Sequence, residues 1–190
     1  MKRNLKIFFY LTFIVFSLVS FSSLASSAEI IGPEVALQGN EIRVSTSLTL
    51  EEKYVKEIRN GIEKEFGFYI DLFKVWNMWP DEFVLGKSIT RTIKCDPVKS
   101  EFIATSFDGS TLIEKRFRSF ESMMKWALSI DNLILTNIKE LESGIHFIRI
   151  TVESKIRNLP PVIGQFFIFL SENEFVVKKD SSYFRIGPVR

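Results

Sequence analysis

The sequence holds a single cysteine and a single histidine in 190 residues. A disulfide framework within the chain is excluded, and so is a metal site built from several imidazoles or thiolates. Charge of one sign is also missing. The 25 basic side chains face 23 acidic ones, a balance that does not suit a polycationic nucleic-acid binder. The nine glycines stand singly, so there is no Gly-x-Gly-x-x-Gly, P-loop or Gly-x-Ser-x-Gly, and phosphate cradles and nucleophile elbows are excluded with them. No uncharged apolar run reaches the roughly 18 to 20 residues that span a membrane as a helix. What remains, 46% hydrophobic and 25% charged residues, is the composition of a globular domain.

The first 28 residues differ from the rest. Lys2, Arg3 and Lys6 precede an uncharged run at residues 7–21, and Ser26 and Ala28 then place small residues at −3 and −1 of a junction with Glu29. That order predicts a secretory signal peptide, residues 1–28, cleaved after Ala28, and a single exported, periplasmic α+β domain over residues 29–190. A retained anchor is the weaker reading. Removing the leader takes three positive charges and no negative ones, leaving 22 basic against 23 acidic side chains. The basic tilt belongs to the leader, and nucleic acid is not expected as a partner.

Past the leader, hydrophobic periodicity predicts an antiparallel sheet of about five to eight strands, a meander with hairpins, carrying two or three helices on one face. Residues 29–40 read as a short strand or arm, and residues 41–48 as a strand. Thr49 with Glu52 reads as a capping box opening a helix with the stripe Tyr54, Ile58, Ile62. Two β-rich runs, residues 67–76 and 83–95, flank a turn at Pro80 and Asp81. Asp96-Pro97 marks the next turn, and Asp108-Gly109 reads as a type I′ hairpin between residues 101–107 and 110–117. Ser119 caps a second helix whose Phe120, Met123, Met124, Ala127 and Leu128 form one apolar stripe, with the Met pair read as core rather than as a cofactor site. Residues 145–156 alternate as a long strand with one wet side, and residues 175–186 supply a closing strand or pair.

Chemistry is sparse. A thiolate–imidazolium pair would have to join Cys95 to His146; the preferred reading is a core cysteine in register with Ile89 and Ile93 and a separate histidine opening a strand. Among the carboxylates, Asp81 and Glu82 point opposite ways in extended chain, whereas Glu172 and Glu174 share a face. The cluster Lys115, Arg116, Arg118 reads as a solvated face. No catalytic residue, cofactor or metal is assigned. Aromatics are the unusual feature, with 14 Phe, 3 Trp and 3 Tyr after the leader. Trp76, Met78 and Trp79 crowd one loop, which serves either as a recognition tip or as a lid over the open end of the sheet. The lid is preferred, because exposed tryptophans without a partner are poorly tolerated. At residues 162–170 helical spacing leaves Phe169 off the apolar stripe, so Ile168 and Phe169 complete the candidate contact surface.

Several segments in order resemble the bacterial domain-of-unknown-function family 4390. They are Asn60-Gly61, Trp79-Pro80-Asp81-Glu82, Ile93-Lys94-Cys95-Asp96, Ser119-Phe120-Glu121, Leu159-Pro160-Pro161 with its Phe-rich run, and the ending between Phe175 and Phe184. The resemblance implies an exported protein of Gram-negative-type bacteria with no assigned activity, encoded near membrane-bound sensor kinases. It also implies that Cys95 is a core variant at a position usually aromatic. The expected function is therefore a non-enzymatic interaction or sensing module with a protein partner in the cell envelope, a membrane-bound sensor kinase being one candidate, and membrane-surface contact as a further option. The alternatives are a carboxylate-based hydrolase of envelope polymers and a carrier of an apolar ligand.

Overall fold

The computed structural model describes residues 28–156 and 173–187. Residues 1–27, which hold most of the expected signal peptide, Leu159-Pro160-Pro161, the apolar run at residues 162–170 with Ile168 and Phe169, and Glu172 lie outside the described residues. Ten strands and two α-helices follow in the order β1 (Ala28–Gln38), β2 (Glu41–Leu50), α1 (Glu52–Arg59), β3 (Lys64–Lys74), β4 (Glu82–Asp96), β5 (Glu101–Phe107), β6 (Leu112–Phe117), α2 (Phe120–Ala127), β7 (Ser129–Asn137), β8 (Gly144–Ile156), β9 (Phe175–Asp180) and β10 (Phe184–Ile186). A single 3-10 turn, Ile138–Glu140, joins β7 to β8.

The strands form two antiparallel sheets rather than one. The small sheet runs β1-β2-β7; the large one runs β8-β3-β4-β5-β6, with β9 and β10 sharing the free edge of β8. Five to eight strands was too few, because β1 and β7 flank β2 in a layer of their own. The meander part of the expectation holds: β3, β4, β5 and β6 pair in succession.

Period-two patterning explains how the layers meet. In β3 the even positions Phe66, Phe68, Ile70 and Leu72 are fully buried, and in β8 Ile148, Ile150 and Val152 continue that face. Against it pack Ile30, Ile42, Val44 and Leu48 of the small sheet, Tyr54 and Ile58 of α1, and Met123, Met124 and Ala127 of α2, all in one apolar cluster. Each buried Ile, Leu, Val, Phe or Met side chain among them contributes about 1.5–3 kcal/mol by leaving water. Ser119 caps α2 as expected, accepting the Ser122 N–H at 3.2 Å.

Two local expectations are corrected. Thr49 is not a cap but part of β2, paired with Glu29 of β1; α1 begins after Glu51, with no side-chain cap. Ladder hydrogen bonds along a ten-residue strand outweigh one cap, worth about 1 kcal/mol. With the helix ending at Arg59, Ile62 falls past it and is half-exposed. The Asp108-Gly109 hairpin forms, but not as a two-residue I′ turn. Phe107 pairs with Leu112 across a four-residue loop in which only Gly109 has positive φ. The Asp108 carboxylate accepts the N–H groups of Ser110 and Thr111 at 3.0 and 2.8 Å, so an Asx turn replaces the mirror-image turn.

Candidate functional site

The strand register settles the thiol–imidazole question. Ile93 pairs with Lys64 at the start of β3, and His146 pairs with Lys74 at its end. Ten residues of strand, about 33 Å, separate these levels. Cys95 is a core residue, 4% exposed, on the face of Ile89 and Ile93; burial pushes its thiol pKa up, with Arg59 opposing and Asp96 adding to the rise. Its Sγ donates to the Arg59 carbonyl at 3.7 Å.

The end of the large sheet marked by Lys74 gathers most of the unusual side chains. The loop between β3 and β4 carries Trp76, Met78 and Trp79, which are 46%, 91% and 77% exposed. Met78 and Trp79 are thus largely open to solvent, which favours the recognition-tip reading of this loop over the preferred lid. Trp76 alone is tied back, its indole N–H donating to Glu82 at 3.0 Å and its ring facing the Lys74 ammonium at 4.7 Å. Phe83 and Tyr183 add two more exposed rings at the same end.

Behind these rings the face turned away from the small sheet is braced. Phe73 stacks on Phe147 with centroids 5.2 Å apart, Phe83 meets Phe73 edge-on at 5.9 Å, and Tyr183 meets Phe147 edge-on at 5.6 Å. The Arg149 guanidinium lies over both stacked rings and donates two bonds, 2.7 and 2.8 Å, to Asp180. That fork raises the Arg149 pKa, and on the neighbouring strand burial raises the pKa of Asp71, with Arg149 partly opposing. Aromatic pairs of this kind add about 0.5–1.5 kcal/mol each and fix the platform from which the loop projects.

On the other face a cleft of about 170 Å3 opens between the sheet end and the segment after β7. It is lined by Lys74, Glu82, Phe83, Val84, Glu140, Leu141, Glu142 and His146. Lys74 donates to Glu142, and that hydrogen bond, aided by the ammonium charge, holds the carboxyl below its ordinary range. His146 is buried, 1% exposed, and its Nδ1–H donates to the Gly144 carbonyl at 3.3 Å, the only role a carbonyl partner permits. Burial pushes its pKa down, the Gly144 bond opposes, and Lys74 adds to the depression.

Three carboxylates in one cleft invite comparison with a hydrolase, but a general acid needs a raised pKa, and Glu142 is moved the opposite way. Among the described residues no group of three or more metal-ligating side chains comes together. A second cleft of about 190 Å3, lined by Ile31, Gly32, Glu34, Ser45, Thr46, Ser47 and Asp131, lies where the β1–β2 register shifts. It carries no aromatic side chain.

Sequence reasoning found Trp76, Met78 and Trp79 from their crowding, and Ile168 and Phe169 are not placed. It missed Lys74, Phe83, Glu140, Glu142, Arg149, Asp180 and Tyr183, which the pairing of β3 with β4 and β8 and the segment after β7 bring to the same end. In comparison with known proteins, the model of the family described as Domain of unknown function (DUF4390) matches residues 25–181. The chain belongs to this family. Neither a curated protein nor a solved structure matches it. As a member of the DUF4390 family, the chain inherits no assigned catalytic residue against which the cleft could be read. No helix among the described residues is long and apolar enough to cross a membrane.

Proposed function

We propose that this DUF4390 protein is an exported, non-enzymatic interaction module of the cell envelope that binds a protein partner through the Lys74 end of its large sheet. The carrying observation is the concentration of exposed Trp76, Met78, Trp79, Phe83 and Tyr183 at one end, on a platform braced from behind. Aromatic and methionine side chains on a rigid base are the composition of binding hot spots. Glu82, Glu140 and Glu142 line the cleft beside these rings against the one ammonium of Lys74, which disfavours the anionic surface of a bilayer and favours a protein. The family resemblance makes the extracytoplasmic part of a membrane-bound sensor kinase the first partner to try. An apolar-ligand carrier draws no support from the two clefts, both open and lined largely by polar groups.

Photo-crosslinking in the envelope of producing cells tests the reading, with the reactive side chain placed at Met78 and, as a control, at exposed Leu112 on the far edge of the sheet. A discrete protein adduct from position 78 only, abolished by Trp76→Ser with Trp79→Ser, is the expected result. The same adducts from both positions, or none from position 78, would refute it.

A further inference from the structure

The docking reading leaves the cleft beside Trp76 without a role. Its lining carboxylates, Glu82, Glu140 and Glu142, outnumber its one ammonium, Lys74. Glu142 is already engaged by Lys74; Glu82 accepts the Trp76 indole N–H, and Glu140 accepts the Thr136 hydroxyl at 3.3 Å. Each of these carboxylates keeps lone pairs for further donors. The buried His146 ring also lines the cleft. With Nδ1 carrying the proton, Nε2 is an acceptor, and it makes no hydrogen bond among the described residues. As a lining residue, His146 offers that acceptor to whatever enters the cleft.

The cleft is thus rich in acceptors, net negative, walled by Phe83, Val84 and Leu141, and has the volume of about six waters. The complement of that chemistry is a long side chain with an apolar stem and a cationic head. The internal Lys74 shows the arrangement in miniature, its ammonium set between a carboxylate and an indole face. We propose that this cleft seats a basic side chain, lysine or arginine, of the protein partner docked on the aromatic end, with Glu82, Glu140 and Nε2 of His146 accepting from its head and Phe83 flanking its stem. The proposal rests on the docking reading and names the chemistry of its partner.

Because the chain has one histidine and three tryptophans, nuclear magnetic resonance reads the site directly. The probes are tetralysine and, as the charge-reversed control, tetraglutamate. Tetralysine should shift the His146 ring and Trp76 indole signals saturably, leave Trp126 of α2 unmoved, and bind at least tenfold more weakly to the Glu82→Gln, Glu140→Gln variant. Both glutamates are exposed, so that variant keeps the fold; a Glu101→Gln, Glu121→Gln variant with equal charge loss elsewhere should bind as the parent does. Absence of a saturable shift, equal weakening in both double variants, or the same shifts with tetraglutamate would overturn the assignment. If the Met78 adduct survives Glu82→Gln with Glu140→Gln while tetralysine binding is absent, the docking surface stands and the basic side chain falls.

Discussion

Strand β3 begins and ends with a lysine, and its two ends have opposite fates. Lys64 is fully buried: its ammonium donates to Glu57 of α1 at 2.6 Å and to both oxygens of Glu174 at 2.6 and 2.8 Å, while Ser154 of β8 donates to Glu174 and the Tyr54 ring lies 4.8 Å away. Lys74 lies on the same register face, yet its carboxylate partner, Glu142, is 82% exposed. Helix α1 and the start of β9 close over the first end. At the second, the layers stop short and leave a cleft. A charge in a sheet interior is held structurally where neighbours satisfy every donor, and remains available to a partner where they do not.

Removing each lysine in turn sharpens this contrast and carries the largest expected effect. Lys64→Ala strands two carboxylates beneath α1 and β9 and should cost about 3–5 kcal/mol in urea unfolding. Lys74→Ala frees only the solvated Glu142 and part of the Trp76 contact, and should cost about 1 kcal/mol or less. Similar losses at both ends would mean that the two lysines do the same work and the comparison is wrong.

The closed end should also show itself at Cys95. Cys95→Ser should cost about 1–2 kcal/mol by burying a hydroxyl among Ile89, Ile93 and Phe102. Since burial raises the thiol pKa, labelling of the folded protein by a thiol reagent at neutral pH should be slow and should speed up on unfolding. Fast labelling in the folded state would open this end of the sandwich to solvent.

Much of this fold is legible in the sequence because alternation and turn chemistry are local. Phe66, Phe68, Ile70 and Leu72 announce one buried face, and Ser119 announces a helix. Strand β7 is not legible: Asn132 takes a φ of 53° and the register with β2 shifts nearby, so Ile130 and Leu135 are buried five residues apart and period two is lost. Strand β1 is longer than an arm for a related reason, since its pairing slips between Ile31 and Glu34 and the pattern reads as interrupted. The buried Lys64 had a signal, because it falls in step with Phe66, Phe68 and Ile70; its partners Glu57 and Glu174 lie 7 and 110 residues away and do not. For the candidate site, crowding of Trp76, Met78 and Trp79 was visible. The cleft was not, because Lys74, Glu82 and His146 meet only through the register of three strands.

The open end should respond to pH through His146. Its folded pKa lies below the ordinary 6.5, so in the window between the two the unfolded chain binds a proton that the folded chain does not. Stability should therefore be flat above about pH 6.5 and fall as pH drops below it, down to the folded pKa. Lys74, Glu82, Glu140 and Glu142 face the ring from β3, β4 and the segment after β7, so carboxylate protonation must be separated from the histidine. Comparing the parent with His146→Gln does so: the part of the pH dependence below the ordinary histidine pKa that belongs to the imidazole should vanish in the variant. An unchanged slope would show that His146 titrates alike in both states.

The smallest expected effect is at the loop tip, and there a near-zero result is the informative one. Met78 and Trp79 are 91% and 77% exposed, with no hydrogen bond or ring contact tying either side chain to the sheet among the described residues. Surface substitutions away from such ties stay within about 0.5 kcal/mol. Met78→Ser and Trp79→Ser should thus leave thermal unfolding almost unchanged, and the pair together should raise solubility, since they remove most of an exposed apolar patch. Phe147→Ala, on the strand next to β3 but stacked on Phe73 and met edge-on by Tyr183, should cost about 3–5 kcal/mol by contrast. That gap separates the rings that build the platform from the rings that project beyond it. If Trp79→Ser destabilises by 2 kcal/mol or more, the tip is folded onto the sheet in solution, the lid reading returns, and the aromatic end loses its claim to be a free surface.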